Sequence, residues 1–326
     1  MKKLLTTILL IASLALLAEG LYRLLFFQHD RDTYSEGIMD LVHKIDDGGA
    51  DILYLGESSN HSWHFEDVDT SWISHIIAQR LPDLKVRDMT HDASHAEVYY
   101  QMLRNLDPST PVGTVVVTMN LRSFGVDWIY SALETALQKK LVMLKARPAL
   151  VNRAVLSFKA YDIKDVPERY RQMDHYWERH PLPGHPSVPR WGDSLNTDSL
   201  TLAGAFVRNY AFIIDTLHNP RIRDFDNIVA LSKQRGWNLV FNLLAENVEL
   251  ADSLAGPDLP ALMRQNRDIL MRRYNRDGVM VVDNLECVAD SLFRDRDWPT
   301  EHYRYEGRRI VADNVARTIR VMNIEY

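Results

Sequence analysis

Five short runs, "DILYLG" (51–56), "KVRDMT" (85–90), "TVVVTMN" (114–120), "NLVFNLL" (238–244) and "VMVVD" (279–283), have the length and the β-branched, apolar content of buried strands. Segments such as "DTSWISHIIAQRL", "AEVYYQMLRNL", "FDNIVALSKQRG" and "LMRQNRDILMRRYNRDG" mostly lie between them and carry apolar residues at helical spacing. This alternation predicts an α/β fold: a mainly parallel five-stranded sheet with helices on both faces. Its ligand site is expected beyond the carboxyl ends of the strands. With 326 residues, 46% of them hydrophobic, the chain can bury a large core as one domain with an insertion.

The rhythm breaks once. More than a hundred residues separate the third strand from the fourth, too many for a single crossover, so 121–236 is expected to be a helical and irregular insertion. Part of it, "WIYSALETALQKKLVMLKA", reads as helix. The stretch "HYWERHPLPGHPSVPRWGDSLNTDS" has no periodicity and many turn residues, and reads as a long loop of the kind that forms lids or binding surfaces.

The first 28 residues form a separate unit. "MKKLLTTILLIASLALLAEGLYRLLFF" opens with two lysines and stays largely apolar to Phe27, about the 20 residues a helix needs to cross a bilayer. Glu19 and Arg23 are four apart and can pair near its outer end. Lys2 and Lys3 would stay inside, which places residues 29–326 outside the cytoplasm. The alternative is a secreted protein, because Ala18-Glu19-Gly20 offers the small residues of a cleavage site. No cysteine follows the apolar run, which excludes a lipoprotein anchor.

Charge and composition exclude several functions. The net charge of −6 includes no basic block that would track phosphates, so nucleic acid is not an expected partner. The single cysteine, Cys287, excludes an intrachain disulfide and a thiolate metal cluster. No GxGxxG or P-loop string occurs, and no nucleotide cofactor is expected. His61 and His64, and His91 and His95, have spacings that would put two nitrogens on one helical face, but no HExxH string accompanies them; no metal is expected.

Two serines compete as nucleophile. Ser194 lies in a literal Gly-Asp-Ser-Leu, yet the preceding "PSVPRW" holds two prolines and cannot be a central strand. Ser58, in "DILYLGESSNHSWH", follows a strand-like run and Gly56 and precedes a helix, the arrangement that leaves a serine hydroxyl exposed at the edge of a sheet. Ser59 is its weaker neighbour. The matching base is His302, in "RDRDWPTEHYRYEGRRIVADNVA", after the last strand and before Gly307 and an apolar-periodic helix.

An early Gly-Glu-Ser after the first strand, with an acidic residue, His302 and then Gly307 opening the final helix, resembles the GDSL/SGNH hydrolase superfamily. The resemblance implies a three-layer α/β/α, flavodoxin-like sandwich, with Ser58 as nucleophile, His302 as general base and an acidic residue orienting the imidazole. The family's acid stands three residues before the histidine, where this chain has Pro299. Asp297 is therefore the preferred acid, ahead of Glu301, which as an immediate neighbour is expected to point away, and of Asp295. The family's oxyanion hole takes the nucleophile's N–H, a glycine N–H after the second strand and an asparagine after the third. Here these become Ser58, Ser94 in a block without glycine, and Asn120. The N-terminal anchor is similar to that of bacterial members that handle acyl groups on envelope polymers, such as alginate acetylation and D-alanyl transfer proteins. The resemblance thus implies a membrane-bound periplasmic esterase or O-acyltransferase. Its expected partners are an acylated envelope glycan or other ester and, through the N-terminal helix, the inner membrane. The aromatic residues of "DHYWERH" and "PRWG" are expected to suit a glycan. The alternative is a catalytically silent binding or scaffolding subunit of an envelope assembly.

Overall fold

The computed structural model describes residues 2–162, 199–276 and 278–324. Ser194, "DHYWERH" and "PRWG" lie outside the described residues.

The five expected strands form one all-parallel sheet: β1 (Ala50–Gly56), β2 (Val86–Thr90), β3 (Val112–Met119), β4 (Asn238–Leu243) and β5 (Val279–Asp283), in the order β2-β1-β3-β4-β5. Strict alternation of side chains divides the core in two. Leu53, Leu55, Val115, Val117, Leu239 and Phe241 face a layer built by helices Ile38–Asp46, Ala96–Asn105, Pro220–Arg235 and Asp258–Tyr274. Ile52, Tyr54, Val116 and Val240 face helices Ile73–Arg80 and Tyr305–Ile324. Each fully buried aliphatic side chain in these layers contributes roughly 1.5–3 kcal/mol, so a strand buried on both faces reads as an unbroken apolar run. The result is the flavodoxin-like three-layer sandwich, with its insertion after β3.

The strand order turns back at the boundary of β1 and β3, because the chain steps from β1 to β2 on one side and then crosses to β3 on the other. Crevices at such a boundary, outside the carboxyl ends, are where open α/β sheets bind ligands. Ser58 follows β1 and Asn120 follows β3, so both stand at it.

Before the sheet, a helix runs from Lys2 to Tyr34, long and apolar enough to cross a membrane, with one π-helical turn at Arg23–Phe27. Helix continues through Ala18-Glu19-Gly20. Its C-terminal part docks on the body of the protein: Tyr22, Phe27 and Tyr34 pack on a small cluster containing Val142, Met143 and Leu156.

Candidate active site

The backbone makes a tight exit from β1. Gly56 does not adopt the left-handed conformation there. Its missing side chain serves close approach instead, since a Cβ would stand 2.9 Å from both the Asn60 Cβ and the Tyr54 ring. The short helix Ser58–His61 begins at once, capped by Glu57, whose Oε1 accepts the Ser59 N–H at 3.2 Å. Asn60 pins this turn from below: its Nδ2 donates to Thr90 Oγ1 (2.7 Å) and Ser74 Oγ (3.2 Å), and its Oδ1 accepts the Ser74 N–H. Ser59 is fully buried. Ser58 is left at the surface of the turn.

Ser58 Oγ lies 2.9 Å from His302 Nε2, and His302 Nδ1 lies 2.6 Å from Asp295 Oδ2. A carboxylate only accepts, so Nδ1–H donates to Asp295, and Nε2 is the ring nitrogen that faces the serine hydroxyl. Thr300 Oγ1 donates to the same Asp295 oxygen at 3.2 Å. Burial alone would raise the Asp295 carboxyl, but the His302 hydrogen bond and charge, Arg294 and Thr300 outweigh it and hold it below the usual carboxylate value. The expected acid, Asp297, is thus replaced by Asp295, seven residues before the histidine. The reason is a fold-back: Phe293 and Tyr303 form an antiparallel bridge, Arg294 N–H donates to His302 O, and Arg304 N–H donates to Leu292 O. This ladder sets Asp295 beside the imidazole, while Asp297 faces the cleft outside. Glu301, the other alternative, is fully buried and held by Arg122 through two hydrogen bonds of 2.7 and 2.6 Å.

The expected oxyanion donors fare differently. The Ser58 N–H has no hydrogen-bond partner among the described residues. Asn120 caps the 3-10 turn Leu121–Phe124, with Oδ1 accepting the Ser123 N–H at 3.3 Å, and its Nδ2 has no acceptor among the described residues. The Ser94 N–H is already directed at His91 O, at 3.3 Å. Its neighbour Ala93 takes the left-handed backbone (φ 56°) that a glycine would favour, and the Ala93 N–H has no partner among the described residues. The uncommitted backbone donor of this block is thus the Ala93 N–H, one residue before the Ser94 expected from sequence.

The sequence gives little warning of two further features. Glu57 Oε2 accepts from Ser58 Oγ at 2.8 Å, so a second acceptor competes with His302 for the serine proton. Beneath the site lies a buried charge cluster. Glu246, just past β4, accepts from the Leu121 N–H (3.2 Å) and the Tyr210 hydroxyl (2.6 Å). Burial, then the neighbouring Glu301 charge, pushes the Glu246 carboxyl well above the ordinary carboxylate range, beside the Arg122–Glu301 pair. An acidic residue interrupting "NLLAENVEL" at a strand end was the one available signal.

The four histidines considered as pairs point to separate partners. His61 Nε2 meets Asp92 (2.7 Å), His64 Nδ1 accepts from the Glu66 N–H, His91 Nε2 meets Lys140, and His95 Nε2 meets the buried Glu134 (2.9 Å). Among the described residues, no three His, Cys, Asp or Glu side chains are grouped to hold a metal ion. A cleft of about 950 Å³ opens beside Asp295, lined by His61, Trp63, Phe65, Arg294 and Asp297 among others. A second of about 550 Å³, lined by Trp72, His91, Ala93 and Lys140, shares His61 with it. Compared with family models and with curated proteins, the chain has no match.

Proposed function

We propose that the protein is an SGNH-type serine esterase or O-acyltransferase, held at the inner membrane by its N-terminal helix and acting in the periplasm on acyl esters of an envelope glycan. The observation that carries this reading is the continuous hydrogen-bond chain Ser58–His302–Asp295 at the switch point of a parallel sheet. Ser58 Oγ attacks the ester carbonyl and its proton passes to His302 Nε2. Asp295 stabilises the resulting imidazolium. The oxyanion is met by the N–H groups of Ser58 and Ala93 and by Asn120 Nδ2, each such donor contributing roughly 2.7–4 kcal/mol to the transition state. His302 returns the proton to the departing alcohol, leaving an acyl-Ser58. Water or a sugar hydroxyl, deprotonated by His302, then releases the acyl group. Trp63 and Phe65 give the cleft exposed rings on which sugar faces stack. The uncleaved anchor is supported by the contacts of Glu19 with the insertion, which cleavage at Ala18-Glu19-Gly20 would destroy.

A second reading, a catalytically silent binding subunit, draws on the Glu57 carboxylate that also takes the Ser58 hydroxyl. Intact-mass spectrometry after fluorophosphonate treatment separates the two. The enzyme reading expects a single adduct that vanishes in Ser58→Ala. Absence of any adduct on the wild-type protein favours the silent subunit.

A further inference from the structure

The anchor helix and one helix of the insertion are fastened together at a depth that constrains both. Glu19 Oε1 accepts the Ala149 N–H at 2.6 Å and Oε2 accepts the Leu150 N–H at 2.9 Å, so this carboxylate caps helix Ala149–Ser157 while also pairing with Arg23 at 2.6 Å. A second tie joins them: Arg153 donates to the Tyr34 hydroxyl at 3.1 Å and pairs with Asp30 at 3.4 Å.

Beyond Glu19, apart from Arg23 and the residues docked on the body, the anchor presents an apolar, uncovered face. Leu21, Leu24, Leu25 and Phe26 are all exposed, Leu24 at 80%. A bilayer that covers them must reach the level of Phe26, seven residues past Glu19, or about 10 Å at 1.5 Å per residue. Glu19 then lies about 10 Å inside that level, and Ala149 with it. Even if helix Ala149–Ser157 rose parallel to the anchor, the nine steps from Ala149 to Phe158 would climb only about 13 Å. Phe158 would end less than one turn above Phe26.

The free face of that helix fits such a position. Val151, Ala154 and Phe158, at i, i+3 and i+7, are exposed, Phe158 at 82%. Arg147 and Lys159 flank the stripe. Interfacial helices bury an apolar face about 5–10 Å into the headgroup boundary, with basic residues at the lipid surface.

We infer that helix Ala149–Ser157 is a second membrane contact, its Val151–Ala154–Phe158 face seated in the lipid interface beside the anchor. This rests on the reading of Lys2–Tyr34 as an uncleaved anchor, and the test keeps the two apart. The full chain, in a Cys287→Ala background, receives a single cysteine at Phe158 or at Leu10 for an environment-sensitive fluorophore. It is then reconstituted into vesicles of phosphatidylethanolamine and phosphatidylglycerol with or without doxyl-labelled lipid. Both labels should lose at least half their intensity to the doxyl lipid, and the Phe158 label should resist aqueous iodide. A quenched Leu10 label beside an unaffected Phe158 label overturns the inference and leaves the anchor standing. An unaffected Leu10 label overturns the anchor and the inference together.

Discussion

The turn after β1 and the loop before the final helix meet at one hydrogen bond, yet they are built in opposite ways. The Ser58 turn is mostly local: strand, Gly56, cap and helix follow one another within a dozen residues, with Asn60 reaching out to Ser74 and Thr90 to hold them. The His302 loop is held from a distance. Its acid is chosen by the Phe293–Tyr303 bridge, and its floor is the contact of Glu301 with Arg122, 179 residues earlier. A serine placed mainly by its own stretch of sequence and a histidine placed by tertiary contacts respond to different perturbations.

The largest expected effect tests the non-local side. Replacing Asp295 by Asn removes the charge that orients and stabilises the imidazolium, and the rate of fluorophosphonate labelling at Ser58 should fall about 10⁴-fold. Asp297→Asn should label at close to the wild-type rate, and the reverse pattern would break the contrast between the two loops. Next comes Arg122→Met, which leaves Glu301 charged and buried without its partner. Chemical denaturation should register a loss of about 3–5 kcal/mol, whereas an unchanged midpoint would mean the loop does not rely on this pair.

The local side is probed by Gly56→Ala. The new methyl must displace Asn60 or Tyr54, an overpacking cost of about 1–3 kcal/mol, measurable as a lowered Tm. The last test concerns a slope with pH, at Glu246. Its folded-state value is raised, so the native protein keeps a proton that the unfolded chain releases above its ordinary value of about 4.3. Glu246 therefore contributes its full stability below that pH. The contribution is lost as pH rises toward the folded value, at up to about 1.4 kcal/mol per pH unit. Between pH 5.5 and 8.5, the Tm of Glu246→Gln should fall less steeply than that of the wild type. Parallel curves would show that Glu246 carries no extra proton.

The local and distant halves also mark what sequence can convey. All five strands and the main helices were readable, because a parallel sheet buried on both faces leaves continuous apolar runs and its covering helices leave a 3.6-residue stripe. The Ser58–His302 pairing was readable for the same reason: each residue sits at a recognisable junction of strand, turn and helix. Asp295 was not, since three carboxylates lie in the seven residues before His302 and only the antiparallel bridge selects among them. That Ser94 N–H is committed to His91 O while Ala93 N–H is not was also unreadable, because a left-handed alanine leaves no compositional mark. The Glu301–Arg122–Glu246 cluster joins three loops that share no sequence period.

Glu19 joined to Ala149 and Leu150, and Arg153 to Asp30 and Tyr34, also bear on reach. A domain on a flexible tether samples a spread of heights that widens with the square root of linker length. One clamped to its own stalk at two points keeps a single height and tilt. If the protein is the anchored esterase proposed above, its usable substrates are decided partly by stature: an ester that stands at the elevation of Ser58 is presented on every diffusive encounter, and one rooted closer to the bilayer or extending past the site is passed over, however well its chemistry matches.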